Sequence, residues 1–205
     1  MGSGFGAVKV RIGHPDVGRD AEVVRAVRSA IGESVDLMVD YNQVLSVPEA
    51  VWRARTLDDE GLYWIEEPTR ADDVAGHARI SREAKTHIQI GENWWGARDM
   101  AKSLAAGASD LAMPDVIKIG GVSGWLRAAA LAEAAGMPAS SHLYPEISAH
   151  LLAVTPTRDR LEYLDLAGPI LQDPLGIEEG HAVIPAAPGN GIEWDEESVQ
   201  RYLVD

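Results

Sequence analysis

VDLMVDYNQVLSVPEAVWRARTLDDEGLYWIE, residues 35–66, holds one complete structural unit. It opens on a short apolar run, 35–39, that stops at Asp40. A helical pattern follows from Ser46-Val47-Pro48-Glu49, in which Ser46 and Glu49 have the spacing of a capping box. Val51, Ala54 and Leu57 fall on one helix face. Gly61 then ends the helix, and a second apolar run, 63–66, stops at Glu66. Strand, helix and strand in this order give two parallel strands joined by a crossover.

The same unit repeats on both sides. Upstream lie a strand at 7–12 and a helix whose inner face is Val23, Val24, Val27 and Ile31, closed by Gly32. Downstream, strands read at 88–91, 111–114, 138–141 and 162–165. Helices read near 72–84, 97–106, 123–135 and 146–154, with Gly107 and Gly136 ending two of them. Seven strands alternating with helices imply a parallel sheet. An open doubly wound sheet and a (β/α) barrel both satisfy that pattern. The open sheet usually carries a Gly-rich phosphate loop after its first strand, and Arg11-Ile12-Gly13-His14-Pro15 is not one.

The polar residues favour the barrel. Asp40, Glu66, Glu92, Asp115, His142 and Glu162 each follow a strand, at intervals of 26, 26, 23, 27 and 20 residues. One βα unit has about that length, so each occupies the equivalent place on a successive strand. In a barrel those places meet at one mouth. Taken singly, each is explained as a helix cap, a loop charge or a structural histidine; six in register are not. Asp40, Glu66 and Glu92 are three hard oxygen donors on adjacent strands, a donor set suited to Mg²⁺. Lys9 and Arg11 alternate onto one face and would place positive charge beside it. Asp115 next to His142 would orient an imidazole as a general base.

Composition narrows the partners. Hydrophobic residues make up 46% and charged residues 24%, an ordinary globular balance. A formal charge of −14 would be repelled by nucleic acid and by an anionic membrane, so neither is expected as a partner. No apolar run is long enough to span a bilayer, and no secretory signal is recognisable at the start. The chain contains no cysteine, which removes thiolate chemistry and fits a reducing, cytoplasmic location.

The strings AVKVRIG, MVDYNQ, WIEEPT, GENWWG, AMPDVIKIGGVSGW, SSHLYPEISAHLLA, LEYLDLAG and AVIPAAPGNGIEW resemble the enolase superfamily, specifically its mandelate racemase subgroup. The resemblance runs almost end to end. It implies a single TIM-type (β/α) barrel domain over 1–205, partial, with seven parallel strands. The family's N-terminal capping domain and first barrel strand would be missing, which leaves open edges at 7–12 and 162–165. The tail, 168–205, would pack on the outside of the barrel.

The resemblance also implies roles. Asp40, Glu66 and Glu92 match Mg²⁺ ligands. His142 with Asp115 matches the base, and Lys9 matches the lysine that contacts the substrate carboxylate. Glu162 matches the acid that stabilises the enediolate, and Asn42 a contact to the substrate hydroxyl. Glu67, Asn93 and Lys118 lie near these motifs as supporting residues. The implied activity is abstraction of the α-proton of a small 2-hydroxy carboxylate by a racemase or epimerase, in a homo-oligomer. Arg11 stands where the family racemase has a second lysine base, and arginine keeps its proton. That departure leaves a one-base acid-sugar dehydratase as the alternative. A barrel that only binds metal is a further reading. A glycosidase with two carboxylates would leave His142 and the third carboxylate unused.

Overall fold

The computed structural model describes residues 4–204. Seven strands form one sheet: β1 (Ala7–Arg11), β2 (Asp36–Asp40), β3 (Leu62–Glu66), β4 (His87–Ile90), β5 (Leu111–Ala112), β6 (Ala139–Ser141) and β7 (Arg158–Leu161). They pair in sequence order, and every pairing is parallel. Six helices occupy the crossovers: α1 (Val17–Ile31), α2 (Val47–Leu57), α3 (Val74–Glu83), α4 (Ala97–Ala106), α5 (Gly121–Ala135) and α6 (Pro145–Ala153). After β7 come a 3₁₀ turn (Gly168–Ile170), the antiparallel hairpin β8 (Gly176–Glu178) and β9 (His181–Val183), and α7 (Glu196–Arg201). No helix among the described residues is long and apolar enough to cross a membrane.

The sheet curls into a partial (β/α) barrel. β1 and β7 are its two edges, yet side chains on and beside them meet. Lys9 Nζ lies 2.7 Å from Glu162 Oε1, and the rings of Phe5 and Tyr163 are 5.6 Å apart. Arg160 on β7 reaches Asp36 on β2, and Tyr63 on β3 donates to Asp159 on β7 at 3.1 Å. These contacts bend seven strands toward closure without a hydrogen-bonded ladder between the edges. The hairpin touches the approach to β1, since a Cβ on Gly180 would sit 2.2 Å from the carbonyl oxygen of Gly4. A cavity of about 960 Å³ runs along the gap, from Lys9 and Glu162 past Phe5 to Ile177 on the hairpin.

Two apolar layers result from strand alternation. The large one lies between sheet and helices and contains Leu37, Val39, Ile65, Ile88 and Ala112 from the strands, with Val24, Leu57 and Trp125 from the helices. The small one fills the barrel floor, where Met38, Trp64 and Leu111 pack with Ala7 and Tyr63. The inward face is otherwise polar, so the outer layer supplies most of the burial.

The structure corrects three local expectations. The last strand is 158–161 rather than 162–165: Arg158-Asp159-Arg160 looks like surface sequence, but Asp159 and Arg160 make contacts across the barrel to Tyr63 and Asp36. The capping box does not form: Ser46 is the N-cap without a side-chain bond, and the Glu49 carboxylate binds Arg53 at 2.6 Å instead of reaching back. Arg53 is held there because it is buried against Asp20, at 2.7 Å. The same helix stops at Leu57, four residues before Gly61.

Gly124 is required by a close approach. A Cβ there would lie 1.9 Å from the carbonyl oxygen of Ile119. Helix propensity alone would make Gly124→Ala stabilising by about 1 kcal/mol. The backbone contact reverses the sign, and we expect a loss of about 1–3 kcal/mol in urea unfolding. A stabilised variant would show that the entry to α5 yields easily to a methyl group.

Candidate active site

The mouth is built from strand ends. Arg11, Asp40 and Glu66 are the last residues of β1, β2 and β3, and the pairing aligns Arg11 with Asp40 and Asp40 with Glu66. On β4 the equivalent carboxylate is set two residues past Ile90 by Gly91. That glycine has φ 141°, and a Cβ would meet Met113 N and the Trp94 ring at 2.9 Å. Asp115 and His142 follow β5 and β6 and form an isolated parallel bridge. Glu162 follows β7 directly.

All these side chains converge. Lys9 Nζ lies 2.7 Å from Glu66 Oε1 and 2.7 Å from Glu162 Oε1. Glu66 Oε2 accepts from Trp64 Nε1 at 3.0 Å, and Glu162 Oε2 accepts from Leu143 N at 2.8 Å. His142 Nδ1 is 2.8 Å from Asp115 Oδ2, and its Nε2 is 3.2 Å from Glu92 Oε2. Asp40 Oδ1 accepts from Asn42 N at 2.7 Å, which fixes the turn that carries Asn42. Arg11 is exposed and lines the same cavity as Lys9, Asp40 and Glu162.

The three supporting residues are also joined. Asn93 Nδ2 donates to Glu67 Oε1 at 2.9 Å, to Glu67 Oε2 at 3.1 Å and to Glu92 Oε1 at 3.1 Å. Lys118 Nζ donates to Asn93 Oδ1 at 2.9 Å. Two further residues escape a reading of the sequence. Trp64 touches Glu66, and its i, i+2 spacing on the inward face is the only signal for that contact. Gln89, paired with Glu66 on β4, is fully buried, and its Oε1 has no partner.

Backbone strain gathers here. Among the described residues six non-glycine residues have positive φ, and five of them, Asn42, Gln43, Glu67, Leu143 and Tyr144, directly follow β2, β3 and β6. Such conformations cost of order 1–3 kcal/mol each and persist where the surroundings hold them. Here they turn the chain sharply as it leaves the barrel, which brings Glu67 and Leu143 N beside the converging carboxylates.

The electrostatics are those of crowded acids. Burial pushes Glu66 up to about 7; Asp40 and Glu162 add to that, and Lys9 opposes it. Burial likewise pushes Glu67 up to about 7, with Glu92 adding and Asn93 opposing. Lys9 is raised, because its two carboxylates outweigh the opposing effect of burial. His142 is raised for the same reason: burial pulls it down, but the Asp115 hydrogen bond and the charges of Glu92 and Glu162 prevail. Asp115 is lowered, since His142 and the amides of Lys118 and Ile117 outweigh its burial.

As they stand, no three His, Asp or Glu side chains among the described residues are arranged to hold a metal ion. Lys9 and His142 each bridge two of the carboxylates. The donor set still fits a hard divalent cation. Asp40, Glu66 and Glu92 offer only oxygens, and Glu66 is pushed toward its neutral form by burial and by the neighbouring Asp40, with Lys9 opposing.

Known proteins share the sequence and the fold of this chain. Residues 1–198 match the family model described as enolase C-terminal domain-like. A 3,6-anhydro-alpha-L-galactonate cycloisomerase from Streptomyces coelicolor is 38% identical over 100% of this chain and 57% of its own length. An L-talarate/galactarate dehydratase from Salmonella typhimurium is 32% identical over 96% of this chain and 49% of its own. The chain thus spans about half the length of the curated relatives it matches. A Bradyrhizobium enolase crystallised with magnesium and mandelic acid superposes with TM-score 0.95 at 45% identity, covering 99% of this chain and 56% of that one.

The His142–Asp115 pair predicts a pH signature. His142 is raised above 6.5, so its contribution is complete below that pH and is lost as pH rises through its folded value. Asp115 is lowered below 3.8, so its contribution is present above that pH and is lost as pH falls through its folded value. Asp115→Asn should therefore cost about 1–3 kcal/mol near pH 5.5, and clearly less once His142 has lost its proton. Denaturant unfolding at a series of pH values reads this difference. A cost independent of pH would mean the imidazole does not change its charge against Asp115 over that range.

Proposed function

Because the chain belongs to the enolase C-terminal domain-like family, a family of enzymes, we propose that its mouth abstracts the α-proton of a 2-hydroxy carboxylate, an acid sugar, with Mg²⁺ as cofactor. The observation that carries this reading is the contact of 3.2 Å between His142 Nε2 and Glu92 Oε2. It puts a histidine backed by Asp115 directly against the carboxylate set.

Asp40, Glu66 and Glu92 would hold the ion. Bound there, Mg²⁺ would supply positive charge to carboxylate oxygens whose negative charge grows as the α-proton leaves. Lys9, released from Glu66, would hold one substrate carboxylate oxygen, with Glu162 beside it. Asn42 would meet the 2-hydroxyl. His142 takes the α-proton on Nε2, and Asp115 stabilises the resulting imidazolium through Nδ1. That role needs Nε2 free of Glu92, so turning Glu92 toward the ion also frees the base.

Arg11 decides the fate of the deprotonated substrate. Arginine in general is a poor proton acceptor and donor near neutral pH, which makes it unsuited to act as a second base on the other face. Departure of a β-hydroxyl completes the reaction with one base: the α C–H bond breaks, a C=C bond forms, the C–O bond breaks, and the proton held by His142 leaves with the hydroxyl as water. Dehydration of an acid sugar is therefore the better-supported outcome. The mandelic acid bound by the Bradyrhizobium enolase favours a racemase-like second reading.

Mg²⁺ titration calorimetry and exchange of α-hydrogen in D₂O test the proposal. Glu92→Gln should weaken Mg²⁺ binding by about 10-fold or more, and His142→Asn should lower exchange by about 10²–10⁴-fold. One enantiomer of a 2-hydroxy acid should exchange, and Arg11→Lys should extend exchange to the other. Equal exchange of both enantiomers by the parent chain would overturn the one-base reading.

A further inference from the structure

Five residues of the mouth close on themselves through hydrogen bonds. His142 Nδ1 meets Asp115 Oδ2 at 2.8 Å, and Asp115 Oδ1 accepts from Lys118 N at 3.0 Å. Lys118 Nζ donates to Asn93 Oδ1 at 2.9 Å, and Asn93 Nδ2 donates to Glu92 Oε1 at 3.1 Å. Glu92 Oε2 returns to His142 Nε2 at 3.2 Å. The circuit joins the segments that follow β4, β5 and β6. A backbone bond from Gly96 N to Lys118 O at 3.1 Å ties the first two again.

The circuit has one sense only. The two N–H groups of Asn93 are shared among three carboxylate oxygens, two of Glu67 and one of Glu92. Its carbonyl oxygen faces the Lys118 ammonium. A flipped amide would set the carbonyl against two carboxylates and the NH₂ against the ammonium. Lys118 thus selects the amide orientation. The amide in turn holds Glu92 Oε1, so that Oε2, which meets His142 Nε2 here, is the oxygen left free to exchange the imidazole for an ion.

We propose that Lys118 is a positioning residue that, through Asn93, fixes the orientation of the Glu92 carboxylate and so couples the Mg²⁺ ligands to the His142–Asp115 pair. This rests on the proposed function for the identity of the ion, but not for the circuit itself. The Lys118 side chain reaches Asn93 and acts through it, while only its backbone N–H meets Asp115.

The test uses the full chain with Mg²⁺ calorimetry, and metal-free NMR of the His142 ring nitrogens. Lys118→Met should weaken Mg²⁺ binding by about 10-fold. In the metal-free protein it should broaden or shift the His142 Nε2 resonance and leave the Nδ1 resonance in place. Lys118→Arg should restore both readouts in large part. Asn93→Asp keeps an acceptor for Lys118 but loses the donors to Glu67 and Glu92; it should weaken Mg²⁺ binding at least as much, and it serves if the methionine variant folds poorly. Parent-like Mg²⁺ affinity together with a parent-like Nε2 resonance in Lys118→Met would overturn the inference. Absence of Mg²⁺ binding in the parent chain would defeat the proposed cofactor, whereas the metal-free Nε2 resonance would still decide the role of Lys118.

Discussion

Six carboxylates, Asp40, Glu66, Glu67, Glu92, Asp115 and Glu162, share one mouth, and the structure is organised around keeping them there. Two like charges about 4 Å apart repel by about 4 kcal/mol at the effective dielectric of a protein surface. Lys9 and His142 answer this by each bridging two acids, Glu66 with Glu162 and Glu92 with Asp115. Glu66 is almost wholly buried and only partly compensated, which is why it drifts toward neutrality. The arrangement is a balance between internal cations and acids that any incoming cation or substrate must reset.

That balance is imposed by packing on the other face of the sheet. Every strand presents apolar residues to the helices while its alternate residues face the barrel interior, so the repulsion inside is opposed by burial outside. The left-handed residues after β2, β3 and β6 belong to the same balance. They hold side chains where relaxed backbone would not place them.

The amino-acid pattern reveals the βα repeat and the positions of the site because both follow simple periods. Partners across space are less legible. Arg158-Asp159-Arg160 has the composition of a loop, and only the curl of the sheet, which brings Asp36 and Tyr63 opposite, turns it into strand β7. Ser46 and Glu49 satisfy a local rule, but Glu49 is claimed by Arg53, whose other partner, Asp20, lies in a different helix. Glu67, Asn93 and Lys118 could be named from their nearness to motifs. Their hydrogen bonds could not, because these depend on how tightly the loops turn after Glu66, Gly91 and Asp115.

The strands pair strictly in chain order, so almost every ladder contact joins neighbours along the chain. A sheet built this way has the connectivity of a repeat array, in which units can form and fray one after another. It is distinguished from such an array by a handful of side-chain contacts of great sequence separation: Lys9 with Glu162, Asp36 with Arg160, Tyr63 with Asp159, and Phe5 with Tyr163. They act as the clasp of a sprung ring. Lys9 with Glu162 belongs both to that clasp and to the mouth. Opening the ring would thus also part Lys9 from Glu162 in the mouth.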